Sequence, residues 1–540
     1  MAAEPERVRV EQVDWQSLLP FVRLFRSFRM AIFPPTKLLL ALLMVVLLWL
    51  GGMTLDAIVG PRVYPNEIAR YAAMSSHQFD AWLEDQQAQT RRKLLNALAG
   101  IPMSGDDRKA LAESSSRFRD ARDHINKHFD QQLSQANEKL SAASTEHEQQ
   151  RLENQITGLN TRRQRRLAGL RALEPDGVFA TALNFKINAF DRMVSAATYL
   201  NFGFGELLAE QEARPDTVVG ALRDVVVVLP GWLYRTHPWF LVVWCVYAMA
   251  LWSLFGGAIA RLAARHATRE EHLSAAEALR FSFHRWHWFF TSPLLPLLVV
   301  LVLGALMAVF GLVFFNVELL DIIGGMLFGL ALLFGAVIAI LLVGLAAGAA
   351  MLYPAIAVEG TDAFDANSRA YNYVLGRPWQ WLLYTLVSLV YGAITYLFVG
   401  VVVFLSLSVT QYFVGVWVFR DAGGASRFDA MLPPPRLGNL AHDVDWQALN
   451  IFGKAAAGLV SIWVYLFIGL LAAFAISYYF SSQTWVYLLL RRAADGTDYE
   501  DVFVDDRSTG ASDTTAPSAA PEEVESPAET PEPDPDSAPQ

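Results

Sequence analysis

Glu359-Gly-Thr-Asp-Ala-Phe-Asp-Ala-Asn-Ser-Arg369 is a compact polar passage set between two long apolar runs. The run before it, Leu327–Leu352, is glycine-rich, with Gly325/Gly329 and Gly344/Gly348 each spaced four apart. Tyr353-Pro354 ends that run, and proline there predicts that the helix stops. Gly376-Arg-Pro-Trp-Gln-Trp381 follows, and the next apolar span begins. A membrane helix, an interfacial turn and the re-entry of the next helix are legible in one passage.

Outward from it the same pattern recurs. Hydrophobic residues make up 54% of the 540-residue chain and charged residues 18%. Several apolar blocks exceed 18 residues without a charge, too long for ordinary core helices. The expected fold is all-α: a polytopic membrane protein with about six transmembrane helices and a long helical, coiled-coil extramembrane insert.

The expected organisation runs as follows. Residues 1–36 form a basic amphipathic cytoplasmic segment and 37–56 the first transmembrane helix. Residues 57–237 form an extracytoplasmic helical insert with a coiled coil over about 106–173. Residues 238–492 form a bundle of five helices, at about 238–259, 289–315, 326–355, 379–407 and 456–479. Residues 493–540 are an acidic tail, expected to be disordered and cytoplasmic because it lacks apolar surface to bury. The formal charge is −10, and the eight acids of Ser508–Gln540 account for −8 of it, leaving about −2 on the body. No basic excess points to nucleic acid. The single cysteine, Cys245, lies in an apolar span and supports no disulfide or cysteine metal site within one chain.

Phe21, Val22, Phe25 and Phe28 interleave with Arg23, Arg26 and Arg29. The segment reads either as an amphipathic helix on an anionic leaflet or as a plain basic flank. The first span reads as a retained signal anchor, since Gly51-Gly52-Met53 makes a poor cleavage site. In the insert, Leu111, Phe118, Ala121, Ile125, Phe129, Leu133, Ala136 and Leu140 form a helical stripe. It slips near Ser144–Gln150, as a stutter or as a hairpin turn. Arginines gather before the first span, between spans two and three, four and five, and after six. By the positive-inside rule both termini are expected to be cytoplasmic, in a bacterial inner membrane. Arg420, Arg427 and Arg436 between spans five and six run against that rule.

Four residues are singled out as an interfacial signature: Glu359, Asp362, Asp365 and Arg369. The plainer account of them is helix-start chemistry, with Thr361 as N-cap, acids in the first turn and an Asp365–Arg369 pair four apart. An earlier passage, Ser274-Ala-Ala-Glu-Ala-Leu-Arg280 before Trp286-His-Trp288, has the same build. It is either an internal repeat or the common composition of an interfacial helix feeding a span. His284 and His287 beside those tryptophans suit headgroup anchoring better than metal binding. Arg162-Arg-Gln-Arg-Arg166 is a basic cluster on the insert that suits a solvated face or an acidic partner.

The run Pro354–Arg369, with Glu277-Ala-Leu-Arg280, resembles uncharacterised bacterial polytopic inner-membrane proteins. More loosely it is similar to the membrane domain accompanying some glycerophosphoryl diester phosphodiesterases. The likeness covers about Ser274–Val402 and implies a membrane address without an activity, since the soluble catalytic domain of those enzymes has no counterpart in this chain. No phosphate loop, Ser/His/Asp set or zinc signature is present. The expectation is therefore a non-enzymatic membrane protein without cofactor, a scaffold that binds the bilayer and a protein partner through the insert. The alternative is a transporter, permease or channel component for lipid or a small uncharged solute. The span interiors lack the ionisable groups of coupled transport. Nothing in the sequence sets the oligomeric state.

Overall fold

The computed structural model describes residues 19–60, 62–102, 118–143, 145–171, 173–199, 201, 203, 217–316, 320–418, 421–422, 425–435, 442, 444–446 and 449–503. Of the tail expected to be disordered over 493–540, residues 493–503 are ordered, α18 running to Asp495 and Val502 buried in the core; residues 504–540, Arg7 and Arg9, Leu111 of the insert stripe, Arg420 and Arg436 lie outside the described residues.

The chain is a multi-pass membrane protein. A 3-10 turn at Pro20–Phe25 leads into α1 (Arg26–Ile32) and α2 (Thr36–Val59). The insert holds α3 (Glu67–Ala73), α4 (Ser76–Ala97), α5 (Phe118–Ala142), α6 (Glu146–Arg171), α7 (Val178–Thr198), α8 (Val218–Arg223) and α9 (Leu229–Thr236). Then come α10 (Pro238–Arg269), α11 (Ala275–His284), α12 (Trp286–Thr291), α13 (Leu294–Phe314), α14 (Asp321–Glu359), α15 (Ala363–Gly376) and α16 (Pro378–Gly415). A two-residue strand pair, β1 (Asp421–Ala422) with β2 (Ala425–Ser426), and α17 (Arg427–Met431) precede α18 (Ile451–Asp495). Six of these, α2, α10, α13, α14, α16 and α18, are long and apolar enough to cross a membrane. Helix is the form such segments must take, because hydrocarbon offers backbone amides no other partner.

Four helices outrun their sequence signals, α10 reaching Arg269 and α16 Gly415 beyond the expected 259 and 407. The expected stop at Tyr353-Pro354 does not occur: α14 carries Pro354 inside it and ends at Glu359. Met351–Val358 are all buried, and packing on every side offsets the roughly 3 kcal/mol that an interior proline costs. Likewise α18 continues past Tyr479 to Asp495, because every residue from Phe480 to Arg491 is buried.

That buried stretch is the centre of the fold. α18 packs against α1, α2, α10, α14, α15 and α16, and the main core gathers where α10 and α14 end. The described part of the N-terminal segment is built into this core. Leu24 and Met30 are buried, Ser477 Oγ donates to the Ala31 carbonyl at 2.7 Å, and Trp485 Nε1 donates to Met30 Sδ at 3.2 Å. A π-turn at Trp252–Gly256 interrupts α10, and Ser282 Oγ donates to the Ser253 and Leu254 carbonyls at 3.1 and 2.7 Å.

Gly344 and Gly348 of α14 admit the Tyr371 ring and Ala370 of α15, whereas Gly325 and Gly329 face open space. The glycine ridge is thus a packing surface over its second half only.

In the insert the slip is a turn. α5 and α6 form an antiparallel hairpin, with Arg122 paired to Glu174 at 2.7 Å and Arg163 to Asp130 at 2.8 Å. Phe118, Ala121, Ile125, Phe129 and Ala136 meet Leu159 and Leu170 along one seam, which Leu94 and Leu98 of the α4 end also join. At about 1.5 Å per residue each arm is roughly 37 Å long. The base is fastened to the first span: Asp56 accepts the Phe179 and Ala180 amides of α7 at 2.8 and 2.9 Å, and Arg119 Nη2 donates to the Ala57 carbonyl at 3.0 Å. α7 then packs along α2, with the Phe179 ring over Gly52 and Phe190 edge-on to Tyr396 of α16.

Candidate functional site

The polar signature sits where α14, α15 and α18 end together. Glu359 is the last residue of α14, and Gly360 turns the chain with φ 68°, a left-handed value suited to glycine. Asp362, not Thr361, is the N-cap of α15, accepting the Asp365 amide at 2.9 Å. Asp362 has the extended backbone a cap needs, while the Thr361 hydroxyl is buried without a hydrogen-bond partner.

The expected Asp365–Arg369 pair gives way to a longer-range one. Arg369 Nε lies 2.8 Å from Glu359 Oε2, and Arg491 Nε lies 3.3 Å from Oε1. The Tyr487 hydroxyl also donates to Oε1. The Glu359 side chain is only 8% exposed. A carboxylate taken out of water needs its charge compensated, whereas an exposed helix pair contributes little. Arg369 therefore turns to the buried acid, and Asp365 stays exposed in the first turn.

Around this centre three of the last carbonyls of α14, which a helix leaves unpaired, find partners, the Gly360 amide donating to that of Ile356. Arg261 Nη1 donates to the Ala357 carbonyl at 2.7 Å, and the Phe503 amide donates to the Val358 carbonyl at 2.9 Å. Arg261 Nη2 holds the Phe503 carbonyl at 2.8 Å, and Arg491 Nη1 holds that of Asp501 at 2.7 Å. The Tyr373 hydroxyl donates to Asp495, and burial together with that carboxylate pushes its phenol up to about 12. Every one of these groups is engaged by a neighbour. The cluster fastens α14 to α15, α18 and residues 496–503. Among the described residues no group of three or more His, Cys, Asp or Glu is placed to hold a metal ion. His284 bonds the Arg280 carbonyl at 2.8 Å, and the His287 ring lies tilted against that of Trp288 at 4.3 Å.

Arg491, Tyr487, Arg261 and Asp501 belong to the site, yet the sequence gives little sign of it. Arg491-Arg492 reads as a topological flank, and 128 residues separate Tyr487 from Glu359.

A second polar corner lies at the base of the insert. Glu67 is buried and accepts the Tyr64 amide at 2.9 Å and Trp232 Nε1 at 3.0 Å; desolvation raises its carboxyl. His237 stands edge-on to Trp232 with Nε2 buried and unpartnered. Burial, and then the charge of Arg62, push its imidazole down to about 4. Both residues line a cavity of about 360 Å³, beside which Arg235 pairs with Asp80 at 2.7 Å. No family model matches the chain, and neither the curated proteins nor the solved structures provide a match.

Proposed function

We propose that the chain is a non-enzymatic membrane scaffold: six spans anchor the insert, and its α5–α6 hairpin presents a binding surface to a protein partner. In this reading the insert is extracytoplasmic, both termini are cytoplasmic and the membrane is a bacterial inner membrane. The observation that carries it is the attachment of the hairpin. A long, polar-faced arm is tied to the first span at its base, directly by Arg119 and through α7, which follows the arm, by Asp56. Ordering a surface in advance lowers the entropy lost on binding, which is what a docking arm needs.

The basic cluster of α6 divides in support of this. Arg163 bonds Asn126 and Asp130, and Arg166 bonds the Ala97 and Ala99 carbonyls, so both are used inside the insert. Arg162 and Arg165 are exposed, a cationic edge that suits an acidic partner surface. The competing reading, passage of lipid or an uncharged solute, has less behind it: the two cavities described lie at the ends of the bundle, not between the spans. Site-directed photocrosslinking at Arg162 and Arg165 in native membranes tests the proposal. A discrete adduct at these positions, lost on charge reversal to glutamate, is expected; a folded protein with no adduct at either position would refute it.

A further inference from the structure

At the end of the bundle opposite the insert, the docked N-terminal segment and the end of α10 enclose a cavity of about 640 Å³. Its walls include Arg26, Arg29, His266 and His272, with Glu270 the one acid among the lining residues. Behind His266 sits Lys37, fully buried, with Nζ 3.3 Å from His266 Nδ1. The His266 and His272 rings are 5.1 Å apart. Among the described residues no carboxylate pairs with Arg26, Arg29 or Lys37; nearby Glu271 is taken by Arg265. α2 begins at Thr36, next to lining residue Pro35, so the positive end of its dipole adds to the same field.

Two guanidiniums and two imidazoles thus line the cavity against one carboxylate, with the Lys37 amine behind His266. Buried basic groups call for a compensating charge, and among the described residues no carboxylate pairs with Lys37. Guanidinium pairs on a concave wall hold phosphate oxygens well, through parallel N–H donors. Exposed Phe33 and buried Trp485 give the same wall an apolar side, as expected where a headgroup meets its acyl chains.

We propose that this cavity binds the phosphate of an anionic ligand, Arg26 and Arg29 gripping its oxygens, with His266 on the wall and Lys37 behind it. A phospholipid headgroup or a free phosphate supplies the same chemistry.

The test is native mass spectrometry of the full-length protein, delipidated in detergent and titrated with phosphatidylglycerol or phosphatidylcholine. One phosphatidylglycerol is expected to bind at least ~10-fold more tightly than phosphatidylcholine, and the exposed pair Arg26→Gln/Arg29→Gln to remove that preference, since each charge-assisted bond is worth roughly a factor of ten. Arg162→Gln/Arg165→Gln on the hairpin serves as the charge-matched control and is expected to bind as wild type. Inorganic phosphate added as competitor separates the sources: displacement assigns the site to phosphate itself, and persistence assigns it to headgroup plus chain. Equal affinity for the two lipids, or binding unchanged in Arg26→Gln/Arg29→Gln, would overturn the proposal.

Discussion

Glu359 holds two guanidiniums and a phenol at a point almost closed to water, so its removal takes from the buried Arg491 one of its two carboxylates and leaves the Tyr487 hydroxyl without its acceptor. Glu359→Gln is expected to cost about 3 kcal/mol, as breaking a buried pair does. Asp362→Ala removes only a cap and is expected to cost about 1 kcal/mol. Asp365→Asn, exposed and outside the cluster, should stay within about 0.5 kcal/mol. Thermal unfolding in detergent orders the three; an Asp365→Asn as damaging as Glu359→Gln would mean that the cluster is wrongly centred. The sequence marks this passage as special but not how its parts combine. Helix-start chemistry is local and was legible, down to an acid at N3. The choice of Asp362 over Thr361, and of Glu359 over Asp365 as the partner of Arg369, depends on burial produced by α18, which lies more than a hundred residues away.

At the scale of elements, hydropathy located the six membrane helices because the solvent imposes both their length and their form. It misplaced the ends of α14 and α18, where a protein core takes over from lipid and apolar composition no longer tracks the helix. The glycine pairs show the same limit: their spacing is identical, but only one pair meets a neighbour. Gly344→Leu drives a side chain into the Tyr371 ring and is expected to destabilise by roughly 2 kcal/mol. Gly329→Leu, facing open space, should be near neutral in the same denaturation assay. Equal costs would contradict the packing described for α14 and α15. The corner between the insert and α10 gives a prediction in pH. Its imidazole is depressed below the ordinary 6.5, so the stability it lends is complete above about that pH and is lost as pH falls through about 4. Glu67, raised by burial, acts in the opposite sense, its contribution lost as pH rises. Subtracting the His237→Gln unfolding profile from wild type isolates the first effect: the difference should appear only on acidification below about 6.5. A difference that is flat with pH would remove His237 from the account.

For the whole molecule, the even number of helices long enough to span places the N-terminal segment and the end of α18 on one side. The direct contact of Met30 with Trp485 agrees with it. In a Cys245→Ser background, a membrane-impermeant thiol reagent applied to spheroplasts is expected to label Gln164→Cys on the hairpin and to spare Asp498→Cys. The reverse pattern would invert the topology. The slip near Ser144–Gln150 left two readings open in the sequence, and only the cross-hairpin pairs Arg122–Glu174 and Arg163–Asp130 decide between them. The resulting arm, tied to the first span, is the feature on which the scaffold reading stands. The most direct measurement is photocrosslinking from exposed positions along α6, in membranes of the native host, beside a variant whose hairpin beyond Ala121 and Leu170 is replaced by a short turn. The scaffold reading predicts one discrete protein adduct, clustered on the face that carries Arg162 and Arg165 and absent from the shortened variant. A folded, correctly inserted protein that yields no adduct along the whole arm would contradict it.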